Sequence, residues 1–334
     1  MRVEEFTYAL PDSSIAQEGI EPRHDSRLLD TRDMSDHRFL ELPSLLRPGD
    51  LVVVNETRVR AARLTGTRRH TGGSVELLVL SGRPDGLWEA LARPARRLRP
   101  GIVIEFEGLT ATVVDGPAEG IVVVDLEAPD VESAIAAAGE VPLPPYFKGT
   151  LEDSSRYQTM FARRAGSAAA PTAGLHFTPE VVKGLDEAGV AMATVDLHVG
   201  IDTFRPITSA EIEGHRMHSE WCAIPETTAT AIREARGSGC RVVAIGTTVV
   251  RALESFANED GTVRAAQGQT ELFLKPGDRF RVVDCLVTNF HVPGSTLVVL
   301  VAAFMGLRWR QAYRVAMERG YRFHSFGDAM YAER

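Results

Sequence analysis

Cysteine is scarce in this 334-residue chain. Cys222, Cys240 and Cys285 are widely spaced and odd in number, a pattern that supports neither a disulfide framework nor a cysteine-based zinc site. Cys285 lies in the apolar run Val282-Val-Asp-Cys-Leu-Val287 and reads as a buried strand thiol rather than a nucleophile. Long hydrophobic runs are missing too. The longest, Leu297 to Phe304, is followed by Gly306 and Arg308 and falls short of the ~18 residues a membrane helix needs, so no membrane partner is expected. The opening Met1-Arg-Val-Glu-Glu-Phe6 carries acid where a signal peptide is apolar, which predicts a cytoplasmic location. The net charge of −8 argues against non-specific nucleic-acid affinity, yet leaves room for a local basic surface. Neither GxGxxG nor GxxxxGK[ST] occurs, so neither a dinucleotide site nor a P-loop is indicated.

The chain is long enough for two domains, or for one large domain with an insertion. After the turn at Arg47-Pro-Gly-Asp50, Leu51-Val-Val-Val-Asn55 reads as a short buried strand. From about 60 to 130, short apolar runs recur: Val75 to Leu80, Leu87 to Ala92, Ile102 to Phe106, Ala111 to Val114 and Ile121 to Leu126. Gly, Pro and Asp punctuate them at the spacing of a small all-β barrel or sandwich. A short helix over 131–138 leads to Pro142-Leu-Pro-Pro-Tyr146, which reads as a domain crossing. Beyond about 150, helices over 179–188, 226–236 and 249–258 alternate with strands over 190–197 and 241–246, which predicts an α/β domain with a largely parallel sheet. Pattern alone leaves open whether residues 1–59 rejoin that body.

Histidine is the conspicuous presence. Four of the nine fall between 176 and 218: His176, His198, His215 and His218. Each sits in a segment that reads as a strand end or loop, and His291 follows in Thr288-Asn-Phe-His-Val-Pro293. Imidazole titrates near neutrality, so such a set suggests acid/base or metal chemistry, against the reading that each is a satisfied structural histidine. The three-residue spacing of His215 and His218 allows a metal, but the segment is not convincingly helical and HExxH is absent. Gly246-Thr-Thr248, between a strand and a helix carrying Arg251, either cradles a carboxylate or ribose or is a plain connection with a threonine cap. The small residues of Ala168-Ala-Ala-Pro-Thr-Ala-Gly-Leu-His176 let backbone approach a ligand, or simply make a tight turn. Arg93, Arg96, Arg97 and Arg99 form a basic window whose readings are a solvated loop or an RNA phosphate contact.

Set in order, these motifs resemble one family. They include Asn55-Glu-Thr-Arg-Val59, Pro142-Leu-Pro-Pro-Tyr146, Ala169-Ala-Pro-Thr-Ala-Gly-Leu-His-Phe177, Leu197-His-Val-Gly200, Met217-His-Ser-Glu220, Arg251-Ala-Leu-Glu-Ser255, Thr288-Asn-Phe-His291 and Ser325-Phe-Gly-Asp-Ala-Met330. The chain is similar throughout to the S-adenosylmethionine:tRNA ribosyltransferase-isomerases of queuosine biosynthesis. The resemblance implies an α/β catalytic domain over 1–59 and 148–334, with a smaller inserted all-β barrel over 60–147. It implies transfer and isomerisation of the ribosyl group of S-adenosylmethionine onto 7-aminomethyl-7-deazaguanine at the wobble position of a tRNA with a GUN anticodon. The products would be epoxyqueuosine-tRNA, adenine and methionine; a free deazapurine acceptor is the alternative. S-adenosylmethionine would be a co-substrate, with no cofactor or metal, and a monomer is expected.

Several proton transfers then give several histidines a reason. The expected acid/base residues are His176, His198, His215, His218 and His291, with Asp196 orienting or assisting. Thr172, Gly174, Gly200, Gly246, Thr247, Thr248, Arg251 and Asn289 are expected to bind substrate, and Arg93, Arg96, Arg97 and Arg99 to bind tRNA. The sequence departs from the family pattern at Asp202, where glycine is usual, and at Gly149, Ala169 and Lys275. Replacing His176, His198 or His291 singly by alanine should lower turnover at least about tenfold; full activity in all three folded variants would refute this assignment.

Overall fold

The computed structural model describes residues 1–143, 146–147, 153–200, 207–217 and 219–334. Gly149, Asp202 and His218 lie outside them. Packing divides the chain into two units: Met1–Arg58, Pro145–Arg164 and Ala170–Arg334 in one, Val59–Pro144 and Ala165–Ala169 in the other. Ala165–Ala169 groups with the smaller unit, whereas the sequence boundaries at 59/60 and 147/148 assign it to the larger. Contacts to residues remote in sequence leave no local signal.

Among the described residues, the larger unit has a nine-stranded sheet. Its order is Ala266–Thr270, Glu220–Ile224, Ala191–Leu197, Leu51–Asn55, Val242–Ile245, Cys285–Asn289, Ala329–Glu333, Arg27–Asp30, Ser35–Arg38. The middle is parallel: Leu51–Asn55 pairs with Ala191–Leu197 on one side and Val242–Ile245 on the other, and Val242–Ile245 pairs with Cys285–Asn289. Glu220–Ile224, Ala266–Thr270, Ala329–Glu333 and Ser35–Arg38 join antiparallel. The sheet is therefore mixed rather than largely parallel. A parallel neighbour needs a crossover, usually a helix, and no α-helix separates Leu197 from Glu220 among the described residues.

The three central strands Leu51–Asn55, Val242–Ile245 and Cys285–Asn289 are buried at every position, as expected where both faces are covered. Helix Pro179–Glu187 packs Val181 and Leu185, with Phe39, Leu42 and Phe177, against Val52, Val54, Val243 and Ile245. Helix Thr296–Met305 accounts for the longest apolar run. It is apolar on all sides because it is buried on nearly all sides. No described helix is long and apolar enough to cross a membrane.

The smaller unit closes a six-stranded barrel in the order Ile121–Glu127, Trp88–Arg93, Ser74–Gly82, Arg63–Arg68, Val103–Phe106, Leu109–Ala118. Alternate residues such as Val75, Leu77 and Val79 face its core, joined by Ile135 of helix Val131–Ala138. The strand Arg63–Arg68 escaped the sequence pattern because it contributes one large apolar residue, Leu64. Its Gly66 meets the neighbouring strand so closely that a Cβ would stand 2.5 Å from the Glu105 carbonyl oxygen.

A buried ion pair ties the start of one central strand to the start of another. Arg241 reaches Asp50 through Nε at 3.1 Å and Nη2 at 2.5 Å. Burial by itself would raise the Asp50 pKa. The hydrogen bonds from Arg241 and the Arg47 N–H outweigh it and hold the carboxyl below its usual value. Asp50→Ala should lose about 3 kcal/mol of stability at pH 7, by leaving a buried guanidinium short of its partner. A lowered folded pKa stabilises above the unfolded value and is lost as pH falls through the folded one. In urea unfolding the gap between wild type and Asp50→Ala should therefore narrow below about pH 3.9; a gap that widens there would contradict this account.

Candidate active site

A cleft of about 590 Å³, its solvent-filled mouth included, opens in the larger unit. It lies at the carboxyl ends of the central strands, where open α/β sheets characteristically bind ligands. Ile245 runs into Gly246, whose φ of +92° suits glycine, and helix Thr247–Ser255 begins at once. That places Gly246, Thr247 and Thr248 in the cleft wall. The Thr248 hydroxyl is buried with no hydrogen-bond partner among the described residues, so it is free to meet a ligand. The wall also contains Thr172, Asn289 and His291.

Asn289, the last residue of its strand, organises the floor. Its Oδ1 accepts from the Thr172 hydroxyl at 2.9 Å. Its Nδ2 faces His176 Nε2 at 3.1 Å and the Asp328 carbonyl at 3.3 Å. With both amide hydrogens donated, Nε2 of His176 must be an acceptor. Its proton then sits on Nδ1, which donates to Ser26 Oγ at 2.7 Å. Burial, reinforced by the positive charges of Arg322 and Arg23, pushes this imidazole down to about 3. His176 is thus a neutral ring with both nitrogens engaged.

His291 is held by Thr288 Oγ1 on Nε2 at 3.0 Å and by its own N–H, which donates to the Tyr313 hydroxyl at 3.1 Å. Burial, helped by nearby His324, lowers it to about 3. His324 itself lines the cleft, and sequence reasoning missed it. Burial lowers it to about 4. Its φ of +74° is uncommon outside glycine, its ring lies 3.7 Å from that of Tyr146, and its Nε2 is buried without a hydrogen-bond partner among the described residues. The available signal was a histidine directly before the Ser325-Phe-Gly-Asp328 motif.

His198 follows the strand Ala191–Leu197. The Asn55 side chain continues the sheet there, donating to the Leu197 carbonyl at 3.0 Å and accepting from its N–H at 3.1 Å. Two residues beyond Leu197, Val199 lines the cleft wall, whereas Asp196 and His198 do not. His198 Nε2 stands 3.5 Å from Asp196 Oδ2, with its ring beside Trp221. The Asp196 carboxylate is buried and has no hydrogen-bond partner among the described residues. Such a carboxylate can orient the ring and offset positive charge as it takes up a proton.

Like His198, Asp196 and His176, the remaining expected residues that are described lie outside the cleft lining. Arg251 forms a buried ion pair with Glu220 and donates to the Leu272 carbonyl at 3.0 Å. The same Glu220 accepts from the Gly200 N–H at 2.6 Å. Gly174 packs beside Thr159. His215 stands edge-on to Phe273, with ring centroids 5.6 Å apart, and is outside the cleft lining. His218 and Asp202 fall outside the described residues. Among the described residues no cluster of three His, Cys, Asp or Glu could hold a metal ion. On the smaller unit Arg93, Arg96, Arg97 and Arg99 are all exposed, displayed around the turn Ala95–Arg97 and anchored by buried Leu98.

The family model described as a queuosine biosynthesis protein matches residues 3–332. The chain is 49% identical to an S-adenosylmethionine:tRNA ribosyltransferase-isomerase of Moorella thermoacetica, covering 99% of each sequence. It is 48% identical to the protein of the same name from Thermus thermophilus, over 98% of each. The crystal structure of an S-adenosylmethionine tRNA ribosyltransferase from Thermotoga maritima is similar at a TM-score of 0.56 and 36% identity, covering 98% of this chain and 99% of that one.

The hydrogen-bond geometry makes a spectroscopic prediction. Nitrogen chemical shifts should report His176 as the neutral Nδ1–H tautomer from pH 8 down to 5, because its pKa is held near 3. An imidazolium signature above pH 5 would refute the assigned network.

Proposed function

The chain belongs to the queuosine biosynthesis protein family, and from that membership we propose that it transfers and isomerises the ribosyl group of S-adenosylmethionine onto 7-aminomethyl-7-deazaguanine in tRNA. The observation that carries this reading is the cleft itself: Gly246, Thr247 and Thr248 at a helix N-terminus, facing His291, His324 and Asn289 across one cavity. Helix N–H groups and threonine hydroxyls suit the carboxylate and ribose of the donor. The name shared by the relatives favours a tRNA acceptor over a free deazapurine. The acceptor base is at the wobble position of a GUN anticodon, and the enzyme acts as a cytoplasmic monomer, consuming S-adenosylmethionine as a co-substrate.

The chemistry assigns work to the groups in place. The sulfonium acidifies the adjacent 5′ C–H, and a neutral imidazole can remove that proton to give an ylide. His291 and His324 are held un-ionised, so they begin as proton acceptors. Adenine departs as the ribose opens and needs a proton from a general acid. His198, the residue before cleft-lining Val199, takes that role, with Asp196 beside it to offset the charge of its protonated form. The acceptor amine attacks after losing its own proton, and ring closure through a second ylide leaves the epoxide as methionine departs. His176 acts as a positioning residue, since both its nitrogens are committed to Ser26 and Asn289. Arg93, Arg96, Arg97 and Arg99 present cationic groups to tRNA phosphates.

The test is adenine release from S-adenosylmethionine, with and without tRNA bearing the aminomethyl-deazaguanine base. Release should require that tRNA and accompany methionine formation. His198→Ala should slow it about 100-fold or more, the scale of a lost general acid. Release independent of the modified base would overturn the proposal.

A further inference from the structure

A second cavity of the larger unit, open to solvent, shares the positioning residues His176 and Ser26 with the network above, but its other walls have no part in the reaction just described. Three guanidinium groups converge on it: Arg23, Arg156 and Arg322. They come from three segments far apart in sequence, the turn Arg23–Asp25, the turn Ser154–Tyr157 and the loop after helix Arg308–Glu318. Each is anchored by part of its donor set. Arg23 holds the Gln158 and Arg156 carbonyls at 2.9 and 3.3 Å. Arg156 holds the Gly19 carbonyl at 3.2 Å and Glu21 at 3.0 Å. Arg322 holds the Glu18 carbonyl at 3.2 Å and Asp328 at 3.3 Å. A guanidinium has five N–H donors, so each retains others, and the side chains stay 24–34% exposed.

Among the described residues the local charge balance is positive. Against three cations stand Glu21, which is 57% exposed, and the buried Asp328. His176 contributes a neutral wall, and the arginines help keep it so. In a chain of net charge −8, such a place is where an anion can approach without meeting the general repulsion. Planar forks from three directions suit the several oxygens of a phosphate better than a single carboxylate.

The position says which phosphate. Ser325 lines both cavities, and the Asn289–His176 hydrogen bond joins a residue of one wall to a residue of the other. A nucleotide whose base enters the reaction cleft must carry its own backbone alongside. We propose that this second cavity binds a phosphodiester of the acceptor RNA, flanking the nucleotide that is modified; the inference rests on the reaction proposed above.

Two substitutions with opposite signs test it, both in the full-length protein with tRNA bearing the aminomethyl-deazaguanine base. Arg156→Gln should weaken tRNA binding about tenfold and reduce the slope of log Kd against log salt by about one, leaving KM for S-adenosylmethionine unchanged. Glu21→Gln removes a competing carboxylate and should tighten tRNA binding severalfold. Partial unfolding can imitate the first result but not the second. Unchanged tRNA affinity in Glu21→Gln, or a shift in KM for S-adenosylmethionine in place of tRNA affinity, would overturn the assignment. Binding is measured without turnover, so a wild type that releases adenine independently of tRNA would sink the reaction while leaving the cavity testable by itself.

Discussion

The carboxamide of Asn289 meets three fixed partners, and both cavities depend on how it is turned. One oxygen and two amide hydrogens allow one satisfied orientation here: oxygen to Thr172, hydrogens to His176 and the Asp328 carbonyl. Reversing the amide would set two acceptors against each other at His176 and two donors at Thr172, unless both partners also changed their protonation or rotor. This small network joins the end of strand Cys285–Asn289, the turn Thr172–His176, Ser26 and the residue just before strand Ala329–Glu333. The floor of the cleft is therefore cross-linked by hydrogen bonds between four segments, in a buried setting where an unmade bond is costly.

Burial then divides the histidines into kinds. His176, His291 and His324 lose the charged form because the surroundings cannot solvate it. His198 differs in having a buried carboxylate beside it and partial exposure. A reaction that takes up and gives back protons at several atoms needs both kinds. His324 adds a backbone at positive φ and a buried ring nitrogen with no hydrogen-bond partner among the described residues. Strain and a buried polar atom left without a partner at one residue are typical of a site kept ready for a ligand.

Much of this was legible along the chain. The buried central strands were plain as apolar runs, because a strand covered on both faces has no polar alternation to confuse. Five of the six barrel strands showed themselves by short apolar runs between turns, whereas Arg63–Arg68 did not, since its side chains give the pattern only Leu64. The Gly246-Thr-Thr248 segment was recognisable as a strand–turn–helix step, and the structure puts it in the cleft. Arg251, three residues beyond Thr248, has its charge met by Glu220. Nothing local announces such a pairing, which joins residues 31 positions apart.

By itself, the sequence determined the family, the α/β and barrel composition, and the demand for several histidines, because these are written in local periodicity and in motif order. The tertiary structure decided what each histidine is. Whether an imidazole is neutral, which nitrogen carries its proton and which carboxylate stands near it follow from sheet order and burial, and these bring residues 26, 176, 289 and 328 together from opposite ends of the chain. Protonation is set by solvation and by partners in space, and a one-dimensional pattern records neither.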